Sequence, residues 1–412
     1  MIDINNAINQ LIQDPFKPLS SFEDHKWITM HKEYIHNQLR YKSKYWKNTL
    51  LPLVNSKHLS AIINNEYIYP HRVGLFAGLS CMFYCGFCGR NKSAAYERNT
   101  LDRGMELYKQ LITDSPRSGA DWQDRFRISG GQEPLTNPRV GELATHAKQL
   151  GYNVSMYTNG YMLSPKYSEK LNDLKMLRIS VYGHNDDSYF QITKKQNAWT
   201  TVSENLKQLE LHNTNLGVNY IVLPGHSDDY LKLIYALIKL QDSMKRPLNF
   251  ITVREDFSQD LIYIDDSERQ KLIDIIHEAN NLIEKHIPHC NIDYGYALDP
   301  LQRGQRIGPL RMAKYNQLDG YGLPQASIQV DILGNIYVYH ETAFLDRPGS
   351  NKFIIGNVKD GIEDVIKKHL AGKPFEYLPS DTEMLDAFDH AVSLAVWATK
   401  QDQQAGVPAL FD

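Results

Sequence analysis

From Arg72 to about Ile287, short apolar strand-like runs alternate with longer amphipathic helical runs, and this alternation limits the chain to a small set of folds. The strand candidates are Val73–Leu79, Arg125–Ser129, Asn153–Tyr157, Met176–Tyr182, Gly217–Leu223 and Leu248–Val253. Helical stretches lie between them, among them Arg139–Leu150, Val202–His212, Asp229–Gln241 and Ser267–Ile287. Six β-α units predict an α/β chain built on a partial (β/α)6 TIM-like barrel with a parallel sheet. In such folds the chemistry sits at the carboxyl ends of the strands.

The flanks read differently. Residues 1–70 are polar and helix-patterned, with a capping signal in Ser21 and Asp24 and helical spacings from Trp27 to Leu51. They predict an N-terminal helical extension without chemistry of its own. The barrel is expected over 71–288 and a small α+β region over 289–412. In that last region, Gln325–His340 reads as a hairpin turning at Leu333-Gly334-Asn335, followed by Arg347-Pro348-Gly349, a short strand over Phe353–Val358 and two helical stretches.

At 412 residues, with 42% hydrophobic and 23% charged positions, the chain is long enough for a large catalytic domain plus an appendage. A net charge of −3 argues against broad nucleic-acid or anionic-membrane binding, which needs a cationic excess. No apolar run approaches the ~18–20 residues that span a bilayer, and the opening MIDINNAINQ has no signal-peptide pattern. Three of the four cysteines crowd into one loop, which excludes a disulfide framework and suggests the reducing cytoplasm.

That loop, Leu79-Ser80-Cys81-Met82-Phe83-Tyr84-Cys85-Gly86-Phe87-Cys88-Gly89-Arg90, directly follows the first strand. Three thiolates at this spacing can bind three irons of a cubane and leave the fourth iron open. A zinc knuckle is the competing reading. It wants four closed ligands, and no fourth Cys or His stands at knuckle spacing.

Cys-x3-Cys-x2-Cys with an aromatic before the last cysteine resembles the radical S-adenosylmethionine (SAM) superfamily. Later strand ends resemble it too: Gly130-Gly131-Gln132-Glu133 after the second strand, Tyr157-Thr158-Asn159-Gly160 after the third, Ser180 to Gly183 on the fourth, and Val218–Gly225 on the fifth. The resemblance covers about Val73–Val253. It implies a [4Fe–4S] cluster on Cys81, Cys85 and Cys88, with SAM held on the open iron and cleaved to a 5′-deoxyadenosyl radical that abstracts hydrogen from substrate. It implies SAM contacts from Phe87, Gly130, Gly131, Glu133, Asn159, Ser180, Tyr182 and Val222, and a reductant of the flavodoxin or ferredoxin type. The C-terminal hairpin resembles the SPASM/twitch module that carries a second cluster in many members. Here Tyr339 stands where a cysteine is usual and no cysteine follows Cys290, so a second cluster is not expected.

Substrate candidates come from strand ends. Arg254, Glu255 and Asp256 close the sixth strand, and His340 and Glu341 close the hairpin. Arg303, Arg306 and Arg311 are either a basic loop or an anion-binding stretch. Cys290 is either a hydrogen-atom donor, as in some epimerases of the family, or a small buried hydrophobe. The expected substrate is a small polar metabolite, with a sugar or nucleotide-linked sugar first, undergoing elimination, dehydrogenation or epimerisation. A maturase of ribosomal peptides and a non-catalytic iron–sulfur protein are the alternatives.

Overall fold

A computed structural model of the chain describes residues 4–410, apart from 15, 24, 89–97, 131, 224, 257–264, 305–311 and 344–347. The six expected strands are present as β1 (Arg72–Leu75), β2 (Phe126–Ile128), β3 (Ser155–Thr158), β4 (Met176–Val181), β5 (Asn215–Val222) and β6 (Phe250–Glu255). They lie in chain order, each parallel to the next.

Four further strands extend this sheet on both sides. β7 (Asn291–Tyr294) pairs parallel with β6, although only Tyr294 of its four residues is buried, so no apolar run announces it. β8 (Ser327–Val330) pairs parallel with β1, and β9 (Asn335–Tyr337) and β10 (Ile354–Asn357) follow it antiparallel. The order is β10-β9-β8-β1-β2-β3-β4-β5-β6-β7, an open sheet of ten strands in a mixed α/β molecule. The expected hairpin is therefore real, and its first strand lies directly against the barrel. Asp331 pins the turn: its Oδ1 accepts the N–H groups of Leu333 and Asn335, each at 2.9 Å, and its Oδ2 accepts the Tyr337 hydroxyl at 3.0 Å.

The pleat sorts side chains between two environments, because successive residues point to opposite faces. On β4, Leu177, Ile179 and Val181 are buried in a core with Val202 and Leu206 of the helix Ala198–Gln208, while Arg178 faces the barrel lumen. On β2, Phe126 and Ile128 flank Arg127 in the same way. The strands thus turn apolar faces to the helices and polar ones inward.

A second core joins the two ends of the chain. Ile8, Leu11, Ile28, Trp46 and Leu50 pack with Val392, Ala395 and Val396 of the helix Ala387–Gln404. Asp402, on that helix, accepts the Leu19 N–H at 3.1 Å, the Ser20 N–H at 2.8 Å and the Ser20 hydroxyl at 2.7 Å. The expected cap at Ser21 is not formed. Its hydroxyl donates to the Pro18 carbonyl at 2.6 Å, which closes a single tight turn over Leu19–Ser21, and Asp24 lies outside the described residues. Beside β7, Lys44 pairs with Asp293 at 2.8 Å, and the Tyr45 ring stacks on Tyr296 at 4.2 Å. Among the described residues, no helix is long and apolar enough to cross a membrane.

Candidate active site

β1 runs into the cysteine loop at the carboxyl end of the sheet. The loop is tied down on three sides. The Glu133 N–H donates to the Ser80 carbonyl at 2.8 Å, the Leu79 N–H to the Thr136 hydroxyl at 2.9 Å, and the Tyr84 N–H to the Thr193 carbonyl at 2.8 Å. Phe83, 2% exposed, anchors the centre edge-on against Tyr161, Tyr182 and Tyr189. Cys81 and Cys85 are half-buried, Cys88 is exposed, and none of the three is in a disulfide. Among the described residues no three Cys, His, Asp or Glu side chains converge on a point for a single metal ion. A cubane takes each thiolate on a separate iron, so its ligands need no such convergence. Thiol donors on a tethered, solvent-reachable loop fit that group.

The expected SAM contacts gather around the loop. Gly130 has φ +67°, and a Cβ there would run into the Phe76 ring, so the turn accepts only glycine without rearrangement. Gly131 lies outside the described residues. Glu133, 3% exposed, accepts the Leu135 N–H at 3.0 Å, the Thr158 hydroxyl, and the Asn159 N–H at 2.7 Å, and so binds the ends of β2 and β3 together. The Asn159 side-chain amide lies 3.5 Å from Cys81 Sγ and 3.1 Å from Met82 Sδ. Phe87 and Tyr182 face each other at 5.9 Å and line a narrow recess with Tyr220, Ile221, Leu223 and His226. The Ser180 carbonyl accepts the Tyr189 hydroxyl at 3.4 Å, and the Val222 side chain is buried beside the recess rather than in it.

A larger cavity of about 350 Å³ opens next to Phe87. It brings together all five expected strand-end groups: Arg254, Glu255, Asp256, His340 and Glu341. Glu255 is 8% exposed. Its Oε1 accepts the Ala297 N–H at 3.4 Å, its Oε2 is buried without a partner, and burial pushes the carboxyl above its usual range. Gly295 makes room for that oxygen, since a Cβ there would overlap it. The His340 ring meets Phe76 edge-on at 5.3 Å, so one aromatic ring separates the Gly130 turn from the cavity.

Cys290 is not brought to this cavity. It is 4% exposed in the main core just ahead of β7, and burial pushes its thiol up to about 12, which is how a small apolar group behaves. Arg303 pairs with Asp299 at 2.9 Å away from the cavity, and Arg306 and Arg311 lie outside the described residues.

Several cavity residues were not expected. Arg72, Arg127, Tyr157 and Arg178 rise from β1 to β4, and Asp386 and Asp389 come from the start of the helix Ala387–Gln404. Burial and the neighbouring Arg127 bring the Arg72 guanidinium down to about 10, and burial does the same to Arg178. Burial would push the Tyr157 phenol up, yet Arg127, Arg178, Arg254 and Arg72 outweigh it and bring the group down to about 8. Asp389, 2% exposed, is driven well above the usual carboxylate range by burial and by Asp386. The signal for the arginines was a charge in mid-strand between two apolar residues, as in Phe126-Arg127-Ile128 and Leu177-Arg178-Ile179, which a fully packed parallel strand does not tolerate.

The profile of the Radical SAM superfamily matches residues 77–238. The chain is 34% identical over 376 residues to the dTDP-4-amino-4,6-dideoxy-D-glucose ammonia-lyase of Streptomyces venezuelae, a match covering 88% of this chain and 77% of that protein. It is 25% identical over 156 residues to the GTP 3′,8-cyclase of Alkaliphilus metalliredigens, covering 37% of this chain and 47% of that one. The crystal structure of Streptococcus suis SuiB superposes with a TM-score of 0.46 at 12% identity, over 84% of this chain and 79% of SuiB.

Proposed function

Because the chain belongs to the radical SAM superfamily, we propose that it eliminates ammonia from a nucleotide-linked amino-deoxy sugar. The bound [4Fe–4S] cluster and SAM supply a 5′-deoxyadenosyl radical that can take a hydrogen atom from an unactivated carbon. Cys81, Cys85 and Cys88 are the residues that would hold the cluster, and Gly130, Glu133, Asn159, Ser180 and Tyr182 would hold SAM.

The observation that carries the reading is the cavity beside Phe87, lined by carboxyl groups from separate elements: Glu255 and Asp256 at the end of β6, Glu341 after β9, and Asp386 and Asp389 at the helix start. Carboxylates in a partly enclosed site suit a substrate ammonium, holding it by charge-assisted hydrogen bonds and taking it over as it leaves. An amino alcohol becomes a deoxy ketone plus ammonium without net oxidation, and the hydrogen atom that leaves with 5′-deoxyadenosine is replaced by one electron from the reductant and one proton. The long match to a sugar ammonia-lyase supports this choice. His340 and Glu341 are read as groups that orient the sugar. A compartment that keeps thiolates reduced, the cytoplasm, and a flavodoxin- or ferredoxin-type reductant complete the reading.

The test is anaerobic turnover of the reconstituted protein with SAM, dithionite and nucleotide-linked amino sugars, reading 5′-deoxyadenosine and ammonium. Both are expected to form. Production of 5′-deoxyadenosine with every such sugar left intact, or turnover of a precursor peptide alone, would sink the proposal. Cys85→Ala is expected to lose both the visible chromophore and SAM cleavage.

A further inference from the structure

Four guanidinium groups from four strands line the cavity: Arg72 on β1, Arg127 on β2, Arg178 on β4 and Arg254 on β6. None of them makes an ion pair or a side-chain hydrogen bond among the described residues, and Arg178 Nε is fully buried without a partner. What they do make are stacking contacts. The Arg178 guanidinium lies 3.9 Å from the centre of the Tyr157 ring, and that of Arg72 lies 4.6 Å from the centre of Phe388. Stacking engages the faces of these planar groups and leaves their N–H edges for another acceptor.

Among the described residues no acid of the cavity forms an ion pair with these four groups, although Asp386 lies close enough to act on Arg72. Asp386 and Asp389 accept each other's backbone N–H groups, at 3.2 and 2.9 Å, in the cap of their helix. Glu255 turns toward Gly295 and Ala297. The cavity therefore carries unpaired guanidinium groups from four strands with carboxyl groups of the strand ends and helix start beside them. Gathering like charges in one cavity without direct ion pairs is costly, and an anion placed across their free N–H edges offsets that cost.

We propose that Arg72, Arg127, Arg178 and Arg254 form the seat of a diphosphate, the linker of a nucleotide-linked substrate. The inference rests on the proposed function and extends it to the part of the substrate that does not react. A diphosphate presents several oxygens to several forks at once, and guanidinium groups match phosphate in a two-point geometry that lysine lacks. With the diphosphate on the guanidinium groups, an amino sugar in the same cavity would have carboxyl groups within reach of its ammonium.

Binding to the reconstituted holoprotein by anaerobic calorimetry tests this, with inorganic pyrophosphate, thymidine 5′-diphosphate and thymidine as probes. Pyrophosphate and the nucleoside diphosphate are expected to bind, with thymidine weaker by roughly tenfold or more. Arg127→Met and Arg178→Met are each expected to weaken the nucleoside diphosphate by roughly tenfold while SAM binding is unchanged, with Arg178→Lys recovering part of the loss. Should the buried variants fail to fold, Arg254→Gln at the open side carries the same expectation. Diphosphate binding that is unchanged in the variants, or thymidine binding as tightly as its diphosphate, would overturn the inference. So would ammonium release by Arg127→Met with an unaltered KM, a result that leaves the proposed function standing. Pyrophosphate binding that depends on the arginines supports the inference even if no amino sugar is turned over.

Discussion

Glu255 illustrates how one residue ties the site to the stability of the sheet. It ends β6 with one oxygen on the Ala297 N–H and the other buried without a partner. Burial raises its pKa above the ordinary 4.5. In the interval between the unfolded and folded values, the folded state holds the proton and the unfolded state does not. This group therefore takes stability away as pH climbs through that interval, and has no effect below it. Glu255→Gln removes the dependence. The stability of the variant relative to wild type is expected to improve as pH rises from about 4.5 toward neutrality. Urea unfolding of both proteins at several pH values checks this, and a difference that stays flat or falls with pH counts against it. The strand-end position of Glu255 was legible in the sequence. Its partnerless oxygen was not, because that depends on Gly295 across β7.

At the scale of elements, the strands act on one another through the lumen. Guanidinium groups on β1, β2, β4 and β6 together hold the β3 phenol of Tyr157 down to about 8, against the effect of its burial. A spectrophotometric titration at the tyrosinate band should therefore find one phenol ionising near pH 8 and disappearing in Tyr157→Phe. Replacing Arg178 with Met should move that step upward. A titration with no phenol below pH ~9.5 would contradict the arrangement. The barrel strands and the hairpin were readable because apolar runs and turn residues mark them locally. β7 was not, because its sequence Asn291-Ile292-Asp293-Tyr294 contributes one buried side chain and gains its place from backbone pairing with β6. The parallel union of β8 with β1 was equally hidden, since it joins residues some 255 positions apart and no local signal records a partner at that distance. The cysteine loop and its glycine turn were legible because spacing and residue type carry their chemistry. Of the lumen arginines only Arg254 was read, from its strand-end position; Arg72, Arg127 and Arg178 each look like an ordinary strand charge until the six strands are laid side by side.

For the molecule as a whole, the carboxylate of Asp402 holds the two ends of the chain together, accepting two backbone N–H groups and one hydroxyl from Leu19 and Ser20. Asp402→Ala leaves those donors unanswered and is expected to cost about 2 kcal/mol or more. The helix it loosens is the one that starts at Asp386 and Asp389, so substrate affinity should weaken alongside stability while SAM cleavage continues. Unfolding curves and KM together decide this, and an unaltered KM would separate the clamp from the cavity wall. The shared core of the two ends also bears on how the protein is made. The N-terminal helices between Ile4 and Ile63 carry apolar faces that pack in part on Val392 to Val396, which are translated more than three hundred positions later. Until the helix Ala387–Gln404 is made and docks, part of those faces stays uncovered, which makes the nascent chain a natural client for chaperones.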